Sequence, residues 1–123
     1  MGNGVKANVV KEKSFAFALR VVKLAKYLRE ERKEFDLSRQ VLRSGTAIGA
    51  LVREAEHAQS KADFISKMSI ALKEANETDY WIELLHQSDS IERESHNSIH
   101  LDVQELIKLL VAIVKTARSG NHP

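Results

Sequence analysis

At 123 residues and 13.9 kDa the chain has room for one domain and leaves none for a second. Its 43% hydrophobic and 29% charged residues exclude a disordered tail protein, and the lack of cysteine excludes a disulfide framework, a thiolate nucleophile and a Cys-ligated zinc. The net charge of +2 hides an uneven distribution: residues 1–53 carry 12 Lys/Arg against 5 Asp/Glu, residues 54–123 carry 7 against 12.

Pro123 is the only proline, and between Val5 and Ser119 the only glycines are Gly45 and Gly49. All-β and α/β chains need more turn residues than this, so the expected class is all-α, an antiparallel up-down-up-down four-helix bundle. No stretch approaches 18 uncharged apolar residues, so no membrane span is expected. The N-terminus lacks the apolar core and cleavage site of a secretory signal, and residue 6 is Lys where myristoylation wants Ser or Thr. A cytoplasmic location is the default expectation.

In chain order, residues 1–12 are polar and aperiodic and read as a frayed segment. A first helix is expected over about 14–34, with Ser14 as N-cap. Its apolar positions Phe15, Phe17, Ala18, Val21, Val22, Leu24, Ala25 and Leu28 fill half the circumference. That arc is wider than the ~100° stripe of a simple surface helix and points to a second neighbour, such as another subunit. A second helix, about 37–58, starts at Asp36, whose carboxylate can cap free amides. Leu37, Val41, Ile48, Leu51, Val52 and Ala55 form its core stripe, with Gly45 and Gly49 one turn apart on one flank. A Gly inside a helix costs up to ~1 kcal/mol relative to Ala, and close approach of a neighbouring helix is the simplest compensation.

Ser60-Lys61-Ala62-Asp63 reads as a capping-box variant that opens a third helix over about 60–90. Its core side carries Phe64, Met68, Ala71, Leu72, Ala75, Ile82 and Leu85. A second apolar stripe, Ile70, Trp81 and Leu84, lies beside Glu74 and Glu77 and suggests self-association. The last helix, about 98–118, carries one stripe of Leu106, Leu110, Ile113, Val114 and Ala117 and stops before Gly120. The domain therefore spans 13–119, with 120–123 as a tail.

Few residues suggest chemistry. Glu54/His57 and Glu83/His86 are Glu-x-x-His pairs of the kind di-iron bundles use. The other half of that ligand set is missing, because the first helix has no inward carboxylate and the fourth has none in its middle. His96 and His100, four apart, supply only two donors, and their spacing lacks the Glu of a metalloprotease site. Asp79 and His86 project to the core side and read as an ion pair or a bundle-end contact. No serine has a plausible His/Asp partner and no glycine-rich phosphate loop exists. The expectation is no catalytic residue, no cofactor and no metal.

Arg20, Lys23, Lys26 and Tyr27, extended by Arg39, Arg43 and Arg53, would suit contacts to a nucleic-acid backbone. The charge split has an equally physical internal reading, a basic half lying against an acidic half within one molecule or between subunits.

Ser14-Phe15, Val21-Val22-Lys23-Leu24, Leu42-Arg43-Ser44-Gly45-Thr46-Ala47-Ile48-Gly49-Ala50 and Glu54-Ala55 resemble the 23S rRNA intervening-sequence (four-helix bundle) protein family. So do Lys61-Ala62-Asp63-Phe64, Ile70-Ala71-Leu72-Lys73-Glu74-Ala75, Glu77-Thr78, Tyr80-Trp81 and Glu105-Leu106-Ile107-Lys108-Leu109-Leu110. The similarity covers about 14–118, and Leu51 departs from it, standing where the family commonly carries Asn. The resemblance implies a small bacterial cytoplasmic four-helix bundle, often encoded within insertions in 23S rRNA genes, and carries over no catalytic residue. It also implies a ring-forming homopentamer. The similar accessory variability determinant proteins of diversity-generating retroelements bind nucleic acid and a reverse transcriptase.

Two functional expectations follow. One is a homo-oligomer binding RNA or DNA through Arg20, Lys23, Lys26, Tyr27, Arg39 and Arg43, with Gly45, Gly49, Ile70, Glu74, Glu77, Trp81 and Leu84 at the subunit interface. The other is a protein-interaction scaffold whose basic surface meets an acidic partner or a neighbouring subunit. A ferritin-like metal oxidase is the remote third.

Overall fold

A computed structural model describes residues 2–120, with side chains from Lys6 onward. Four helices follow one another: α1 (Gly2–Glu30), α2 (Asp36–Glu56), α3 (Lys61–Gln87) and α4 (Arg93–Ser119). Connections of four or five residues force antiparallel neighbours, as the all-α up-down-up-down reading requires. α1 packs on α2 and α4, and α3 packs on the same two, so α1 and α3 occupy opposite corners of a square. The α1/α4 and α2/α3 seams therefore lie on opposite sides of the bundle.

The core is built from one stripe per helix. Val10, Phe17, Val21 and Leu28 of α1 meet Val41, Ile48 and Val52 of α2, with Met68, Ile82 and Leu85 of α3 and Val103, Leu106, Leu110 and Ile113 of α4. Leu51, at the position that departs from the family pattern, packs partly buried against this core.

The beginning of α1 differs from the sequence expectation. Gly2–Lys13 is helical, not frayed, and Val10 is fully buried. Val10 stands seven residues before Phe17, so it adds two turns to the same stripe. Ser14 is therefore no N-cap: it is buried inside the helix, and its hydroxyl donates back to the Lys11 carbonyl at 3.2 Å. The start of α2 is capped differently too. Glu34, not Asp36, accepts from the Leu37 and Ser38 amides, at 2.6 and 3.1 Å.

The expected cap of α3 is present. Ser60 Oγ accepts from the Asp63 amide at 3.0 Å, while Asp63 Oδ2 accepts from the Gln59 amide at 3.2 Å. α4 begins at Arg93, one to two turns earlier than the polar 91–100 stretch suggests, because Ile91, His96 and Ile99 are buried. Gly120 ends it with a φ of +76°, the left-handed cap conformation. The rest of the expected tail, 121–123, lies outside the described residues.

Candidate functional site

Part of the charge split closes inside the monomer. Lys11 pairs with Glu56 at 3.0 Å, Lys13 with Glu105 at 3.1 Å and Arg20 with Asp102 at 2.5 Å. Arg43 holds Glu74 at 3.3 Å and also Glu77, whose second partner is the Trp81 indole N–H, donating at 3.0 Å. The Trp81 bond, and after it Arg43, keep the Glu77 carboxyl below its ordinary range despite the opposing cost of desolvation. Glu77 and then Glu74 raise the Arg43 guanidinium in return.

These pairs divide the expected basic patch. Arg20 reaches across the α1/α4 seam and Arg43 across the α2/α3 seam, so the two arginines serve opposite sides of the bundle. A single surface running from Arg20 through Arg43 does not exist. Lys23, Lys26 and Tyr27 remain together on one exposed turn of α1, and Arg39 is exposed on α2. None of Lys23, Lys26 and Arg39 has an ion-pair partner among the described residues. Beside that turn an open cleft of about 500 Å³ runs along the α1/α4 seam. Arg20, Lys23, Leu24 and Tyr27 form one wall, and Ile91, Glu92, Ser95 and Ile99 the other. Cations and an aromatic face line it beside one carboxylate, a composition suited to a phosphate with an adjoining ring.

The expected interface residues are redistributed as well. Gly45 is buried against α1 of the same chain, where an added Cβ would lie 2.8 Å from both Val21 methyls. Gly49 faces the Ser14 carbonyl oxygen, 3.4 Å from such a Cβ. Gly45 thus serves helix packing within the monomer, and half-buried Gly49 lies against Ser14 of α1 in the same chain. Glu74 and Glu77 hold Arg43 of their own chain. Trp81 and Leu84 are half-buried, and Trp81 stacks edge-on against Tyr80 at 5.0 Å. More apolar surface is exposed elsewhere: Phe15 and Leu19 on α1, and Tyr80 and Leu101 on α3 and α4, are each half or more exposed, whereas Ile70 is 38% exposed. Phe15 also lies under the Arg53 guanidinium, 5.5 Å from the ring centre.

One constellation joins halves of two motifs that look inert separately. Glu83 and His86, from the last turns of α3, meet His96, from the first turn of α4. One donor atom from each lies within 4.8 Å of the others. Gln87 donates to Glu83 Oε2 at 2.8 Å and, with His96, holds that carboxyl below its ordinary range. His100 is fixed separately, its Nδ1 2.8 Å from Asp79 Oδ1, while Gln104 donates to Asp79 Oδ2 at 2.9 Å. Sequence reasoning weighed each i,i+3 or i,i+4 pair along its own helix. The hairpin geometry that joins them appears only once α4 is known to begin at Arg93. By contrast, Glu54 and His57 are exposed and belong to no such group among the described residues.

The profile of the 23S rRNA-intervening sequence protein family matches residues 6–112. Among solved structures, a protein of unknown function from the S23 ribosomal protein family of Bacteroides thetaiotaomicron VPI-5482, determined at 1.70 Å resolution, is 60% identical. That match covers 90% of this chain and 99% of the other, with a TM-score of 0.89. Comparison with the curated proteins gives no match. No helix among the described residues is long and apolar enough to cross a membrane.

Proposed function

The chain belongs to the 23S rRNA-intervening sequence protein family, and we propose that it works in the cytoplasm as a non-enzymatic homo-oligomer that binds structured RNA or DNA. The observation that carries this reading is the exposed turn Lys23, Lys26 and Tyr27 beside the α1/α4 cleft. Its lysines are not engaged by the acidic half of the chain, whereas Arg20 and Arg43 are. Such a patch is modest on one subunit, and repetition around an assembly would multiply its affinity through effective concentration.

The assembly itself is supported by the distribution of exposed apolar side chains. Phe15 and Leu19 lie on α1, and Ile70 and Tyr80 on α3, at opposite corners of the bundle. Two different patches on opposite sides favour a head-to-tail contact, the kind from which rings are built when the rotation between subunits closes, over a two-fold dimer that would reuse one patch. The homopentamer implied by the family resemblance is such a ring.

The test is a fluorescence-anisotropy titration of the oligomer against a structured RNA and a DNA duplex across a salt series. Binding that weakens steeply with salt, and is abolished by Lys23→Glu with Lys26→Glu, is expected. No binding at low salt overturns the nucleic-acid reading. The scaffold reading would then stand, with the exposed Lys23, Lys26 and Arg39 offered to an acidic protein partner.

A further inference from the structure

We infer that Glu83, His86 and His96 form a binding site for a divalent transition-metal ion of the zinc type at the α3/α4 end of the bundle.

His96 Nε2 lies 3.1 Å from Glu83 Oε1. Two donors on one tetrahedral ion, each bonded at roughly 2.05 Å, are separated by about 3.3 Å, so this pair already stands near ligand spacing. His86 supplies the third donor. Its Nδ1 is buried and has no hydrogen-bond partner, the only such side-chain atom among the described residues. A buried polar atom left unpaired is costly, and a ligated ion is one way to satisfy it.

The surroundings suit the role. His86 and His96 stack with ring centres 4.2 Å apart and planes 15° from parallel. Stacked rings do not aim their lone pairs at one point, so ligation requires the His86 ring to turn out of the stack about its side-chain torsions. His100 lies against His96 with ring centres 5.4 Å apart and is itself anchored by Asp79, which helps hold the His96 ring in place. In the metal-free chain the closer partner of His96 Nε2 is the Glu83 carboxylate, so the ion takes the place of the proton shared between them, while Asn97 Oδ1 stands 3.4 Å from His96 Nδ1. Two nitrogens and one oxygen select zinc-like ions over magnesium or calcium, which prefer oxygen alone. A water molecule completes the coordination.

Calorimetric titration of the full chain with Zn²⁺, paired with the visible absorption of Co²⁺ in the same site, tests this. One saturable Zn²⁺ per chain, a tetrahedral Co²⁺ band that Zn²⁺ displaces, and no competition from Mg²⁺ are expected. Glu83→Gln changes an exposed residue and leaves the fold intact, and His86→Gln tests the orphaned nitrogen directly. Each should weaken Zn²⁺ at least about tenfold and lose the Co²⁺ band, while His57→Gln, on exposed α2 surface, should change neither. Absence of saturable binding by the native chain overturns the site. So does binding that survives Glu83→Gln and His86→Gln but falls with His57→Gln.

Discussion

Gly45 and Val21 fit together across the α1/α2 interface with no room for one more carbon: a Cβ on Gly45 would sit 2.8 Å from both valine methyls. The helix accepts the ~1 kcal/mol entropic cost of glycine because the valine fills the space a side chain would occupy. Gly45→Ala is expected to destabilise the protein by about 1–2 kcal/mol, the overpacking cost outweighing the gain in helix propensity. Val21→Ala in the same chain should recover part of that loss. Gly49→Ala, which meets the Ser14 carbonyl at an ordinary 3.4 Å, should be neutral or stabilising by up to ~1 kcal/mol. Urea unfolding of the three variants separates these outcomes, and equal effects at both glycines would refute the packing argument.

Glu77 gives the α2/α3 seam a pH dependence. Its carboxyl is held below the ordinary range first by the Trp81 indole N–H and then by Arg43. A depressed folded-state value means that the stabilisation is fully present above the unfolded carboxyl value. It is lost as pH falls through the folded one. Glu77→Gln should therefore cost stability at pH 7 and converge with the native protein in acid. The difference stays below about 1 kcal/mol because Arg43 is half exposed and solvent screens the pair. Thermal denaturation of both proteins from neutral to strongly acid pH measures the convergence.

The basic residues should not be equivalent in nucleic-acid binding. Removing Lys23 or Lys26 is expected to reduce the slope of log affinity against log salt by about 0.7–0.9 each. Arg43→Gln should leave that slope unchanged, because Glu74 and Glu77 already neutralise its guanidinium. Arg20, bound to Asp102 at the edge of the cleft, should fall between them. Anisotropy titrations at four or more salt concentrations resolve these slopes.

The ring makes a prediction that a two-fold dimer does not. Leu19→Glu on α1 and Tyr80→Glu on α3 should each leave a helical monomer by light scattering. Mixed in equal amounts, the two variants retain one intact contact between them and should form heterodimers but no larger species. A native chain that runs as a lone 14 kDa particle at high concentration would remove the assembly altogether.

Much of the architecture was legible in the chain itself. Four apolar stripes at helical spacing, the Ser60/Asp63 cap and the Gly120 stop required only local rules of periodicity and hydrogen bonding. The misreadings were local as well. Two glycines and a polar run disguised the start of α1, although Val10 continues the stripe of Phe17. Similarly, the glutamate before the expected cap reached the open amides of α2 before Asp36 could.

What a one-dimensional pattern determined was which face of each helix turns inward, since burial of apolar area depends on residue spacing alone. Which outward charges remain free was decided only by the square arrangement of the helices. It set Arg43 against Glu74 and Glu77, Arg20 against Asp102, and left Lys23 and Lys26 in water. The same arrangement turned Gly45 towards Val21 and carried His96 to Glu83 and His86. Pairing between side chains falls off within a few ångströms, and distances that short between separate helices exist only after the chain has folded.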